Sequence, residues 1–121
     1  MSGNKFLIDT NIIIYILNGD VELSELLYLK DLYISFITEL ELLSLENISE
    51  KQKVGMELFI NQCKVVDINE DIKSLVIFIR KQKKIKLPDS IIAATAKYLN
   101  IPLVTSDKSF AKIENFDCMI Y

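Results

Sequence analysis

The sequence predicts an α/β fold, a three-layer α/β/α arrangement around a mainly parallel, twisted sheet of four to five strands. Two observations carry this. Short β-branched or apolar runs alternate with longer helical patterns along the whole chain. Those runs are nearly continuous in apolar residues, which suits strands covered on both faces. With 121 residues the chain is close to the common domain size, so residues 1–121 read as one domain whose core needs no disulfide.

The predicted strands are Phe6-Leu7-Ile8, Tyr33-Ile34-Ser35-Phe36, Val65-Val66-Asp67-Ile68, Leu103-Val104-Thr105 and Cys118-Met119-Ile120. Helical segments fill the gaps. Asn11 to Leu17 and Val21 to Lys30 are separated by the turn signal Asn18-Gly19-Asp20. A third runs from Thr38 to about Asn47. Ser49 is suited to cap the fourth, with Glu50 in its first turn. Asn69 caps a long segment from Glu70 to Lys84, and Pro88 opens a last one that ends at Leu99, before Asn100 and Pro102. No repeat, linker or low-complexity tract interrupts this order.

Composition narrows the chemistry. Apolar residues make up 50% and charged residues 26%, as in ordinary soluble proteins. Asp9 interrupts the early apolar stretch where a signal peptide would need continuity, and no apolar run is long enough to span a bilayer, so the expected location is cytoplasmic. Cys63 and Cys118 stand far apart with no metal-type ligand beside them and read as buried apolar thiols. There is no histidine, which excludes Ser-His-Asp and Cys-His sites and the usual His-containing zinc sites. Any hydrolysis must use carboxylates, lysines, hydroxyls and a bound metal. The net charge of −3 argues against a nucleic-acid binder held by bulk charge, but a site built of carboxylates brings its own counter-cations.

Four acids stand out. Asp9 directly follows the first strand, and Asp107 follows Leu103-Val104-Thr105 with Ser106 between. In a parallel α/β sheet both lie beyond carboxyl ends of strands, where such folds place ligands. Asp89 heads the apolar stripe Ile92, Ala93, Ala96 and Leu99, so it sits on the core side of its helix, with small residues allowing close approach to the sheet. The competing explanation is an acid that merely favours a helix N-terminus. In the third helical segment Glu39 shares a stripe with Glu46, a solvated spacing, whereas Glu41 falls with Thr38, Leu45 and Ile48 on a partly buried face, which favours Glu41. All-oxygen clusters of this kind suit magnesium or manganese. Spacing alone leaves solvated acids as the alternative.

These residues closely resemble the PIN-domain family, especially the VapC-type toxins of toxin–antitoxin pairs. Leu7-Ile8-Asp9-Thr10-Asn11 looks like the family's opening strand and first helix, and Thr38-Glu39-Leu40-Glu41-Leu42 like its second acidic motif. Asp89-Ser90-Ile91-Ile92-Ala93-Ala94-Thr95-Ala96 is similar to its third and most specific motif, and Leu103-Val104-Thr105-Ser106-Asp107-Lys108-Ser109-Phe110 to its fourth. The four occur in order over nearly the whole chain. The resemblance implies a Mg2+- or Mn2+-dependent endoribonuclease in which Asp9, Glu41, Asp89 and Asp107 are the catalytic and metal-binding acids. It also implies that Asn11 and Thr105 are supporting polar residues. Further implications are cleavage by metal-activated water to a 5′-phosphate and a 3′-hydroxyl, a homodimer, and a cognate antitoxin that inserts a segment toward the site. Ser106 departs from the asparagine or arginine usual before the fourth acid, which bears on a substrate or antitoxin contact there.

The segment Arg80 to Lys86 holds five cations in seven residues just before Asp89. Lys83, Lys84 and Lys86 are candidate RNA-phosphate contacts, against the plainer role of cations at a helix C-terminus. The apolar Val21–Lys30 segment is either core or a dimer or antitoxin surface, and the scattered tyrosines are packing residues rather than a base-stacking platform. Two other functions compete. One is a PIN-type nuclease in RNA maturation or turnover without an antitoxin. The other is a receiver-like signalling domain, which needs adjacent acids after the first strand and leaves the Asp89 motif without a role.

Overall fold

In the computed structural model, which describes residues 3–121, five strands form one sheet in the order β3-β2-β1-β4-β5, every neighbouring pair parallel. The strands are β1 (Lys5–Ile8), β2 (Asp31–Ser35), β3 (Lys64–Val66), β4 (Leu103–Thr105) and β5 (Cys118–Ile120). The helices are α1 (Thr10–Leu17), α2 (Val21–Leu26), α3 (Phe36–Leu43), α4 (Glu50–Gln62), α5 (Glu70–Gln82) and α6 (Leu87–Leu99), with a short 3-10 turn over Lys108–Lys112. The predicted three-layer α/β/α fold with a parallel sheet is therefore the one observed.

The layers follow from strand alternation. Leu7 and Leu103 are register partners and point to one face, where Ile72 and Ile79 of α5, Ile92, Ala93 and Ala96 of α6, and Phe110 pack over them. Their successors Ile8 and Val104, also partners, point to the other face with Ile34. There they meet Ile12 and Ile13 of α1, Leu23 of α2, Leu42 of α3, and Met56 and Ile60 of α4. Coverage on both faces holds for the central β1 and β4. The edge strands β3 and β5 are only partly covered, because each has a single neighbour and fewer helices above it.

Capping fixes several boundaries. Asn69 Oδ1 accepts from Ile72 N at 2.8 Å, and Ser49 forms a capping box with Gln52. Gly19 takes φ +95° in the predicted turn, and Asn100 closes α6 in the left-handed conformation. Elsewhere the boundaries move. The second helix stops at Leu26 rather than Lys30, since Leu29 turns to φ 62° and brings Asp31 onto β1, where Asp31 N bonds Asn4 O at 2.7 Å. Phe36 begins α3 instead of ending β2, because Ser35 Oγ caps the helix by accepting from Ile37 N. That helix ends at Leu43, and Asn47 at φ 60° redirects the chain toward Ser49. The third strand stops at Val66, which pairs with the last residue of β2, so Asp67 and Ile68 have no strand to join. No helix among the described residues is long and apolar enough to cross a membrane.

Candidate active site

Parallel strands deliver their carboxyl ends to one edge, and the four acids meet there. Asp9 caps α1 immediately after β1, and its N–H bonds Val104 O of β4 at 3.0 Å, continuing the ladder one residue past the strand. Its side chain is nearly buried at 7% exposure. Oδ1 accepts from Thr10 N at 2.8 Å and Oδ2 from Thr105 Oγ1 at 2.6 Å. Thr105, fully buried at the end of β4, also accepts from Asp107 N at 3.0 Å, so one hydroxyl ties the first and fourth acids together. The Asp107 carboxylate accepts from Ser109 N at 2.9 Å and caps the 3-10 turn.

Asp89 stands in the first turn of α6, half-buried. Seven consecutive residues of that helix, Ser90–Ala96, are buried, so α6 is enclosed all round rather than along one stripe. It lies between α5 and the sheet, and its two polar residues there, Ser90 and Thr95, return their hydroxyls to Leu87 O and Ile91 O at 2.7 Å. Glu41 is exposed on α3, whereas Glu39 is half-buried, which reverses the faces expected from the sequence. Leu45 and Ile48, meant to define the Glu41 face, lie beyond the end of α3. What sets Glu41 apart is instead a bond: its Oε1 accepts from Thr10 Oγ1 at 2.6 Å.

The electrostatics show four negative groups sharing one edge. Burial raises the Asp9 carboxyl above the usual carboxylate range, and the charges of Glu41 and Asp107 add to that, against lowering by its hydrogen bonds. Asp89 is raised by burial and by Asp9, Asp107 and Glu41, with Lys86 acting the other way. Asp107 is lowered, first by its bonds from Ser109 and then by Lys86 and Lys112. The one ion pair among the described residues, Lys73–Glu70 at the start of α5, includes none of the four acids.

The donor set suits a hard divalent cation: every available ligand is a carboxylate or hydroxyl oxygen. Among the described residues no three His, Cys, Asp or Glu side chains are gathered closely enough to hold an ion by themselves.

The remaining candidates separate. Asn11 is exposed on α1 and makes no side-chain hydrogen bond in the described residues. Lys83 ends α5 and lines a separate cavity with Phe78, Lys97 and Glu114, and Lys84 is exposed in the connection to α6. Only Lys86, the residue before α6, acts on the acids. So the basic run is divided: Arg80 and Lys81 lie in the last turn of α5, and Lys83, Lys84 and Lys86 lie between α5 and α6. Sequence reasoning missed Lys112, which also acts on Asp107, Thr10, whose hydroxyl bonds Glu41, and Thr38, whose hydroxyl bonds that of Thr10. The signals for the threonines were present, one following Asp9 and the other three residues before Glu41. Cys63 and Cys118 are free and half-buried rather than buried, and burial pushes the Cys63 thiol up to about 11.

Comparison with known proteins identifies the fold and the family. A chain of the toxin–antitoxin complex from Klebsiella pneumoniae is 31% identical, with a TM-score of 0.77 over 89% of this chain and 92% of that one. A chain of VapBC-1 from nontypeable Haemophilus influenzae is 30% identical, with a TM-score of 0.75 over 96% and 97%. VapBC2 from Rickettsia felis, bound to a DNA fragment from its promoter, shares the fold at a TM-score of 0.83 and 22% identity, over 97% and 98%. No curated protein sequence matches. The PIN domain model matches residues 6–115. The chain therefore belongs to the PIN domain family, whose members are nucleases.

Proposed function

We propose that this protein is a Mg2+- or Mn2+-dependent endoribonuclease and the toxin of a VapBC-type toxin–antitoxin pair. The observation that carries the nuclease reading is the gathering of Asp9, Glu41, Asp89 and Asp107 at one sheet edge, where Lys86 and Lys112 offset only part of their charge. Asp9 and Asp89 are raised first by burial and further by neighbouring acids, and a bound cation would relieve both effects. The toxin reading is supported by the relatives from Klebsiella pneumoniae and Haemophilus influenzae, both from toxin–antitoxin structures. RNA is the substrate class and an antitoxin the protein partner, with two copies of this chain forming a homodimer.

In this reading Asp9, Asp89 and Asp107 hold the cation, with Glu41 directly or through water. When bound, the cation supplies an activated water and offsets charge on the phosphodiester. The chain's own residues set the geometry. Thr10 N–H and Thr105 O–H fix the plane of the Asp9 carboxylate and leave a further lone pair on each oxygen. Thr105 passes that orientation to Asp107 through the Asp107 N–H. Lys86, beside Asp89 and Asp107, is placed to attract a substrate phosphate toward the acids.

The test is cleavage of RNA by wild type and Asp9→Asn, with magnesium and with EDTA, followed by mapping of the ends. Magnesium-dependent cleavage by the wild type alone, leaving 5′-phosphates, is expected. Cleavage that persists in EDTA or in the variant overturns the reading. Co-purification with the product of a small neighbouring reading frame, with loss of cleavage in the complex, separates the toxin from a nuclease of RNA turnover.

A further inference from the structure

Glu41 is the exposed member of the quartet, and an exposed glutamate keeps substantial rotamer freedom unless something holds it. Here something does. Thr10 Oγ1 lies 2.6 Å from Glu41 Oε1, the length of a charge-assisted hydroxyl–carboxylate bond, and 3.1 Å from Thr38 Oγ1. A hydroxyl has one proton. An ionised Glu41 can only accept, so the Thr10 proton goes to Glu41, and the Thr38 hydroxyl donates to Thr10. Thr38 is fully buried, and the Thr10 oxygen is the one side-chain partner its hydroxyl has in the described residues. The three groups thus form a directed chain, Thr38 to Thr10 to Glu41, in which each bond polarises the next.

The chain starts from two rigid points. Thr38 and Glu41 are three residues apart on α3 and share a face. Thr10 is the first residue of α1, and its backbone N–H holds Asp9 Oδ1 at 2.8 Å. One residue therefore grips two acids, Asp9 by its backbone and Glu41 by its side chain. We propose that Thr10, backed by the buried Thr38 hydroxyl, is a positioning residue that aims the Glu41 carboxylate at the Asp9 side of the cation site. This rests on the nuclease reading for its consequence, but not for its geometry.

The experiment compares wild type, Thr10→Val, Thr10→Ser and Thr38→Val, with Thr10→Val repeated in a Glu41→Ala background. Three quantities are read: Mn2+ affinity by calorimetry, RNA cleavage, and the spread of Glu41 side-chain rotamers by NMR scalar couplings in metal-free protein. Thr10→Val should lose about 10- to 100-fold in Mn2+ affinity or cleavage, the usual effect of removing a ligand's orienting partner. Thr10→Ser keeps the hydroxyl and should stay near wild type, and Thr38→Val should fall between them. With Glu41 gone, Thr10→Val should change nothing further, because no carboxylate is left to aim. A structural tie between α1 and α3 would instead give equal losses in both backgrounds, and that result, or a serine variant as poor as the valine one, overturns the proposal. A wild type that neither binds Mn2+ nor cleaves RNA ends the nuclease reading alone. The rotamers then still decide: narrow in wild type and averaged in Thr10→Val supports positioning, and averaged in both refutes it.

Discussion

Asp89→Asn should stabilise the metal-free protein while removing its response to magnesium. The substitution keeps the size of the side chain and deletes a charge that burial and three neighbouring acids all disfavour. Relieving a compromise of this type commonly yields about 0.5–2 kcal/mol. Asp89 is only half-buried, so solvent screens the repulsion, and the lower part of that range applies. Against it stands the attraction of a carboxylate to the first turn of α6, about 0.3–1 kcal/mol. With both terms at their lower ends, about 0.5 against about 0.3 kcal/mol, the net gain is a few tenths of a kcal/mol, a rise in melting temperature of roughly 1–2 °C for a domain of this size.

The pH dependence has a definite sign. A carboxyl raised in the native state binds more protons than its unfolded counterpart. Its stabilising contribution is therefore fully present below the ordinary value of 3.8 and is lost as pH rises through the raised native value. The advantage of Asp89→Asn should be largest near neutral pH, shrink toward pH 4, and shrink also with added salt. Magnesium should then raise the wild-type melting temperature, by about 2.7 kcal/mol of added stability at a hundredfold excess over its dissociation constant, and that of the variant by much less. Calorimetric melting in EDTA and in magnesium reads all of this. A variant destabilised by more than about 2 kcal/mol would place Asp89 among structural acids, since only loss of a needed interaction gives that size.

Asp107→Ala should act in the opposite direction, losing about 0.5–2 kcal/mol as the cap of the 3-10 turn disappears. Because the Asp107 carboxyl is lowered, that contribution is present above 3.8 and fades as pH falls through the depressed value, which urea titrations at pH 7 and pH 3 would reveal. Thr105→Val leaves Asp9 Oδ2 and Asp107 N without their shared partner and should cost about 1–3 kcal/mol in urea unfolding; a neutral result would mean the hydroxyl tie is not formed. Lys86→Ala should weaken RNA cleavage through KM and reduce the salt dependence by roughly 0.7 of a log–log unit, the share of one single-strand phosphate contact. Lys83→Ala, on a separate cavity, should leave both unchanged.

The parts of this structure that were legible in the sequence are those where one local signal had one meaning. Asn69, Ser49 and Asn100 mark helix ends by side chains suited to those ends, and β1 and β4 are apolar because both faces are covered. Asp9 and Asp107 could be placed at one edge once the sheet was taken as parallel. Legibility failed where a residue serves two neighbours. Ser35 ends a strand and caps a helix, so Phe36 reads as strand by composition and folds as helix by capping. The wheel chose Glu41 for burial it does not have. What selects it is a hydroxyl from a residue 31 positions away, and no periodicity within α3 contains that information. Lys83, Lys84 and Lys86 form one charge run in sequence, yet the end of α5 at Gln82 sends them to different surroundings.

The position of Asp9 explains why these failures leave the site intact. The register pairs Ile8 with Val104, so the next residue on each strand, Asp9 and Thr105, must also face each other. Their bond is thus a consequence of the sheet, fixed by the pairing of β1 with β4 and by the two apolar layers that bury Leu7, Ile8, Leu103 and Val104. The same pairing sets Asp107, through the hydroxyl it shares with Asp9, and α1 begins at Thr10 because Asp9 caps it. A shift of one residue in this register would exchange the two faces of β1 and carry Asp9 away from Thr105. The core therefore protects the geometry of the acids even though the acids oppose the core. Substitutions such as Leu103→Ala should then misplace Asp9 and Thr105 at the same time as they open a cavity, and lose activity faster than stability.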